Sequence, residues 1–409
     1  MNPDLPFTQW DLVRSQFSLD YTKVHLSLNM VCPNSICVQN EIARHRKAFD
    51  QNPAIYYREK DKYNHLNLQA ISNYLNTKKN NIALSDSTTA GISTVLNGLS
   101  INAGDEIISS DHDHYSLDKA VYFLSKKNKI RLKKIKLYEK SRWATCEEIL
   151  ENIHAAINKN TRIVCLTWVH SCSGIRLPIA KIGRLIEHIN GFRTYENKII
   201  TVVDAVHAIG FEWFDSVESL NCDFIISGLH KWMFGPRGTG FIWGSEFGWS
   251  QFKSPLIVSF DNEAFYPWRH QGFEENEVPP ARLASTGGFP AFEHRWAIYK
   301  SIEFIEEIGQ RAIRDRIISH AKKISALLER HEKIQFYSSD SDELMSGIIC
   351  FDVKKKVASE VVDDLVHLNL IVGQTPYRHS CVRIAPSILN SDEDINLTID
   401  RLKDYLNAS

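Results

Sequence analysis

From residue 81 to residue 244, short apolar runs alternate with segments whose apolar positions recur every three to four residues. Runs at 81–85, 106–110, 130–137, 162–169, 198–203, 223–227 and 240–243 predict strands. The segments 87–99, 117–125, 146–157 and 179–189 predict helices. Most of the runs are continuous and rich in β-branched residues rather than alternating, as for strands buried on both faces. The exception is 130–137, where apolar and basic residues alternate. The expected fold class is α/β, with a large domain built on a mostly parallel, seven-stranded type of sheet covered by helices.

The pattern changes after Gly244. Residues 247–280 are rich in aromatics with little periodicity, which predicts a loop able to close over a site. A helical stretch follows over 292–332. Strands at 347–353, 370–373 and 381–384, with helices at 358–367 and 392–406, predict a smaller C-terminal α+β domain. Residues 1–70 read as helical or irregular and are expected to wrap the outside. The expected division is therefore 1–70, 71–290 and 291–409.

The 409 residues suit two to three domains at ~150 residues each. Lysine and arginine number 48 against 49 acids, so no chain-wide field points to nucleic acid or a membrane surface. A small-molecule partner is expected. The eight cysteines show no Cys-x-x-Cys spacing, and several lie in apolar runs, such as Cys165 and Cys350. Buried, reduced thiols suit a reducing cytoplasm. Met1-Asn2-Pro3-Asp4 does not open a signal peptide, and no run approaches the ~20 apolar residues of a membrane helix. A soluble, cytoplasmic protein is expected.

Five segments carry chemistry. Val202-Val203-Asp204-Ala205-Val206-His207 ends a buried strand on an acid. Ligands of open α/β sheets bind at the carboxyl ends of strands, where Asp204 could hold a cationic group; it could instead cap a helix. In Ser227-Gly228-Leu229-His230-Lys231-Trp232, a lysine follows a strand end and precedes bulky apolar residues. A partly desolvated lysine has a lowered pKa and can form a Schiff base. The following Gly235-Pro236-Arg237-Gly238-Thr239-Gly240 has neither the dinucleotide nor the P-loop order. Ser87-Thr88-Thr89-Ala90-Gly91 opens a helix with more hydroxyls than capping needs, as a phosphate site would. Asp111-His112-Asp113-His114-Tyr115 offers either an imidazole that stacks on an aromatic ligand or metal ligands. Arg383, in Cys381-Val382-Arg383-Ile384-Ala385-Pro386, is either an ion-pair member or a carboxylate fork.

In this order the segments resemble fold-type I PLP-dependent enzymes over about residues 81–406. More narrowly, the chain resembles the class V aminotransferase family, in its isopenicillin-N-epimerase-like and cysteine-desulfurase-like branches. The resemblance implies pyridoxal 5′-phosphate as cofactor and a Lys231 aldimine. It implies Asp204 on the pyridinium nitrogen, so that the ring serves as an electron sink. His114 would stack on the ring and His207 would lie near the phenolic oxygen. Thr88, Thr89 and His230 would hold the phosphate. Ser171 stands where many relatives have an asparagine beside the cofactor. Thr286 matches a residue that reaches the phosphate of a neighbouring subunit, which implies a homodimer with shared active sites. Arg383 would clamp the substrate α-carboxylate. Catalysis would rest on Lys231, Asp204 and His114.

There are departures from the family pattern. The region that carries the desulfurase nucleophile reads Leu368-Asn369-Leu370-Ile371-Val372, without a cysteine. Cys381 is expected to point away from Arg383. Gly228 replaces a Ser or Asn of many relatives, leaving Ser227 as a substitute phosphate ligand. Trp168, His170, Arg269, His270 and the aromatics of 265–268 are expected to shape the pocket or form a subunit interface. The expected function is PLP-dependent Cα deprotonation of an amino acid or amino-acid-derived substrate. Transamination leads, with epimerase or C–S/β-lyase activity as further outcomes. The alternatives are a non-catalytic PLP-fold binding protein and, against the missing loop cysteine, a cysteine desulfurase.

Overall fold

The computed structural model describes residues 10–270 and 278–408. After a short strand, β1 (Val24–His25), the large sheet takes its strands from the middle of the chain. These are β2 (Ile82–Ser85), β3 (Glu106–Ser110), β4 (Arg131–Ile135), β5 (Thr161–Thr167), β6 (Ile200–Asp204), β7 (Phe224–Gly228) and β8 (Gly240–Gly244). Their spatial order is β2-β8-β7-β6-β5-β3-β4. All neighbours from β7 to β4 are parallel, and β8 runs antiparallel to both β7 and β2.

Successive side chains of a strand point to opposite faces. Ile107, Ile163, Val202 and Ile226 therefore pack on one side with the helices Thr88–Gly98 and Tyr115–Asn128. Ile108, Val164, Val203 and Ile225 pack on the other with Cys146–Ala156 and Ile179–Asn190. Two buried faces explain the continuous apolar runs. The edge strand β4 is the exception, and its outward lysines discourage pairing with another chain.

The small sheet comprises β9 (Ile334–Phe336), β10 (Ile349–Val353), β12 (Gly373–Gln374) and β13 (Val382–Ile384), all antiparallel. The strand expected at 370–373 divides: β11 (Leu370–Ile371) belongs to a different sheet from β12. The helix expected over 292–332 is also divided, into Phe292–Arg295, Ile298–Ile308 and Gln310–Leu328. Gly309, at φ +93°, turns the chain between the last two. The stretch 247–280 is not wholly a loop: it holds the helices Glu246–Gln251 and Asn262–His270, too short to show a repeat, and 271–277 lie outside the described residues.

The N-terminal segment does more than wrap the outside. β1 pairs in parallel with β11, and Ala385 N–H donates to the Leu26 carbonyl at 2.7 Å. Cys32 N–H donates to the His230 carbonyl at 3.0 Å. Residues 24–32 thus run from the two-stranded β1–β11 sheet, past the end of β13, to the turn that carries Lys231. No helix among the described residues is long and apolar enough to cross a membrane.

Candidate active site

The carboxyl ends of β5, β6 and β7 and the start of the helix Thr88–Gly98 enclose a cavity of about 180 Å³. Thr88, Thr89, His114, Ser171, Asp204, His207, His230 and Lys231 all line it. Residues from 88 to 231 meet there because parallel strands place their carboxyl ends on one edge.

At one end lie the hydroxyls of the helix start. Ser87 Oγ accepts the Ala90 N–H at 3.1 Å, an ordinary N-cap. Thr88 Oγ1 accepts the Gly228 N–H at 2.7 Å and ties the helix to the end of β7. Thr89 is exposed to the cavity. A Cβ at Gly228 would lie 3.2 Å from both the His230 ring and Thr88 Oγ1, a close fit that small shifts of those two side chains would have to relieve. Ser227 does not substitute: it is wholly buried and donates to the Gly228 carbonyl at 2.9 Å.

At the centre, Lys231 Nζ donates to His207 Nε2 at 3.0 Å. Burial pulls Lys231 down from 10.5 to about 8; Asp204 opposes this and Arg383 adds to it. Burial and the surrounding cations hold His207 far below the usual histidine range, so it accepts from Lys231 as a neutral ring. Its buried Nδ1 then has no partner among the described residues. Asp204 is 2 % exposed. Burial raises its pKa, while the Val206 N–H at 3.1 Å and the Lys231 charge favour the carboxylate.

His114 stands at the N-cap of the helix Tyr115–Asn128, where its Nδ1 accepts the Ser116 N–H at 3.3 Å. Its neighbours in the Asp-His-Asp-His segment have other tasks. The buried carboxylate of Asp113 accepts the N–H groups of Ser110 at 2.6 Å and Thr167 at 2.9 Å. His112 stacks on Tyr138 at 4.0 Å, and Tyr138 Oη bonds His170 Nδ1 at 2.9 Å. His170 is therefore a wholly buried support behind the cavity and not a pocket wall. Trp168 also packs away from the cavity, against Phe214. Phe265 and Trp268 are exposed on the helix Asn262–His270. Arg269 lies on that helix outside the cavity lining, and the side chain of His270 is not among those described.

Behind Ser171, Arg383 is 4 % exposed with no acidic partner among the described residues. Its Nη1 makes a long contact of 3.5 Å to the Ser171 carbonyl, and its Nε is buried without a partner. A buried cation left unpaired is costly unless a ligand supplies the anion. Cys381 does not point away from Arg383. Its Sγ faces the Cys172 carbonyl at 3.8 Å while Arg383 faces Ser171, as residues two apart on a strand share a face.

Thr286 lies outside this cavity. Its N–H donates to the Leu84 carbonyl at 3.0 Å, and it borders another depression with Lys60 and Phe260. Tyr377, missed in the sequence, reaches the site from the loop before β13. Its hydroxyl lies 3.1 Å from Ser171 Oγ, and its ring meets the His114 ring edge-on at 6.0 Å.

The residues present fit PLP: hydroxyls at a helix start for its phosphate, a buried carboxylate for its ring nitrogen, and a partly neutral lysine. The family profile described as Aminotransferase class-V matches residues 61–397. The isopenicillin N epimerase of Streptomyces clavuligerus is 28% identical over 345 residues, 80% of this chain and 79% of that protein. The cysteine desulfurase of Wigglesworthia glossinidia brevipalpis is 27% identical over 298 residues, 69% of this chain and 65% of that protein. The fold is that of C-DES, solved as a lysine mutant with glycine covalently linked to its PLP cofactor. That likeness has a TM-score of 0.82 at 17% identity and covers 96% of this chain and 99% of that one.

Proposed function

The chain belongs to the class-V aminotransferase family, and we propose that it is a PLP-dependent enzyme that takes a proton from the Cα of an amino acid or amino-acid-derived substrate. The observation that carries this reading is Lys231, an amine brought to about 8 beside His207 in a cavity that Asp204 also lines, with Arg383 buried behind Ser171 and without an acidic partner among the described residues. PLP bound there supplies an electron sink for charge developing at Cα. Thr88, Thr89 and His230 would hold its phosphate, His114 its ring face, Asp204 its ring nitrogen and His207 Nδ1 its phenolic oxygen.

The protein groups then divide the work. Arg383 binds the substrate carboxylate and orients the Cα hydrogen toward Lys231. Lys231 accepts that proton, with a pKa near the operating pH as a general base requires. His207 holds Nζ in place through its hydrogen bond. Returning the proton at a different carbon gives transamination, the reading adopted here. Return to Cα gives epimerisation, and loss of a β-substituent gives a lyase. Among the described residues no cysteine lines the cavity, Cys172 and Cys381 lying beside Ser171 and Arg383 instead, which supports these outcomes over transfer of sulfur to an enzyme thiol.

The working unit in this reading is a homodimer with shared active sites. Val258, Phe260 and Phe289 are exposed close to Thr286, and solvent-facing apolar groups of this size mark interfaces. The eight free cysteines suit the cytoplasm. The test is borohydride reduction of the PLP-loaded protein followed by peptide mapping, with Lys231→Ala beside it. The pyridoxyl group should map to Lys231, and Lys231→Ala should stay folded without turnover. Full activity in that variant would overturn the assignment. Keto-acid formation in stoichiometric exchange identifies transamination; solvent deuterium at Cα of unchanged substrate, or release of pyruvate, identifies the other two outcomes.

A further inference from the structure

Three donor groups gather around Ser171, which lines the cavity: its own hydroxyl, the Tyr377 hydroxyl and the Arg383 guanidinium. Among the described residues the Arg383 guanidinium has one long contact, to the Ser171 carbonyl, and its Nε is buried and unpartnered. Beside it the Ser171 and Tyr377 hydroxyls lie 3.1 Å apart. Two hydroxyls carry two protons, and one hydrogen bond between them uses one. The other proton is left to donate outward. Tyr377 is also fixed in direction: its ring edge rests on His114, and its loop leads within six residues to Arg383.

We propose that Tyr377 is a substrate-binding residue whose hydroxyl, paired with that of Ser171, holds one oxygen of the substrate α-carboxylate while Arg383 holds the other. This rests on the reading of the cavity as an amino-acid site. A carboxylate has about four lone-pair positions, so one guanidinium does not saturate it. Tyr377 thereby makes the site selective for a free carboxylate over an amide, because an amide brings an –NH₂ donor to a place already filled with donors.

The test compares wild-type holoenzyme with Tyr377→Phe, which keeps the ring against His114 and removes only the hydroxyl. The amino acid that wild type binds most tightly is first found from a panel of proteinogenic amino acids. The probes are then the corresponding carboxylic acid without its amino group, which binds without reacting, and the amide of that acid. Calorimetry measures both affinities, and thermal melting reports on the fold. Tyr377→Phe should weaken the acid about tenfold or more, leave the amide nearly unchanged and melt within a few degrees of wild type. In turnover it should raise KM much more than it lowers kcat. Ser171→Ala should show the same selective loss. Equal affinity of Tyr377→Phe and wild type for the acid overturns the proposal, as does an equal loss for acid and amide, which marks a packing role. Failure of wild type to bind any amino acid overturns the amino-acid reading itself, and the proposal with it.

Discussion

Replacing Lys231 by Met should erase a pH dependence that the folded protein owes to this one side chain. Burial, strengthened by the Arg383 charge and opposed by Asp204, brings the amine from 10.5 to about 8. That difference corresponds to about 3 kcal/mol at 1.36 kcal/mol per pH unit. It also leaves about one amine in ten neutral at pH 7, roughly 300-fold more than for an unperturbed lysine. The sign follows from the proton count. Between pH 8 and 10.5 the unfolded chain keeps a proton that folded Lys231 has lost, so stability rises with pH across that window. The cost of burying the ammonium is complete below pH 8. Urea unfolding of the apoprotein, stepped from pH 7 to 10.5, measures this directly. Wild type should gain about 1–3 kcal/mol relative to Lys231→Met as pH rises through the window, the lower bound allowing for residual hydration. Asp204→Asn should extend the window to lower pH, because it removes the charge that favours the ammonium in the folded state. A constant wild-type-minus-variant difference across this range would refute the account of Lys231 as a desolvated amine.

Two other perturbations address the ends of the site. Arg383→Ala should weaken substrate binding by about 1.5–3 kcal/mol, the scale of a hydrogen bond to a charged group. The apoprotein should not lose stability, because the substitution removes a buried cation that has no acidic partner among the described residues; a large drop in Tm with unchanged KM would make Arg383 structural. Val258→Lys combined with Phe289→Lys should shift sedimentation from dimer to monomer, since both side chains are more than 70 % exposed beside Thr286. An unchanged mass would place any subunit contact elsewhere.

The large sheet was legible because its strands are buried on both faces, so local composition alone marks them. The strand ends carried the next layer: Asp204 and Lys231 stand at the carboxyl ends of β6 and β7, where an α/β sheet binds ligands. Legibility faded where an element is short or its environment is remote. Three residues of β9 cannot show a period, and a glycine at 309 reads as a tolerated flaw until its φ of +93° breaks the helix. Cys381 was misplaced against Arg383, although the two-residue period of a strand puts both on one face. His170 and Trp168 looked like pocket walls by proximity in sequence. Their rings turn instead toward Tyr138 and Phe214.

What the sequence by itself determined is the α/β architecture, the order of its strands along the chain and the chemistry placed at their ends. These follow from periodicity and local residue type, which neighbours in the chain specify together. Only the tertiary structure decided which distant groups share a dielectric environment and a hydrogen bond. Tyr377 meets Ser171 across 206 residues, and Lys231 meets His207 across 24. Residues 24–32 are drawn in between β11 and the Lys231 turn. The lowered lysine pKa, the neutral His207 and the buried Arg383 are properties of that assembled interior, because desolvation and charge–charge interaction act through space and not along the chain.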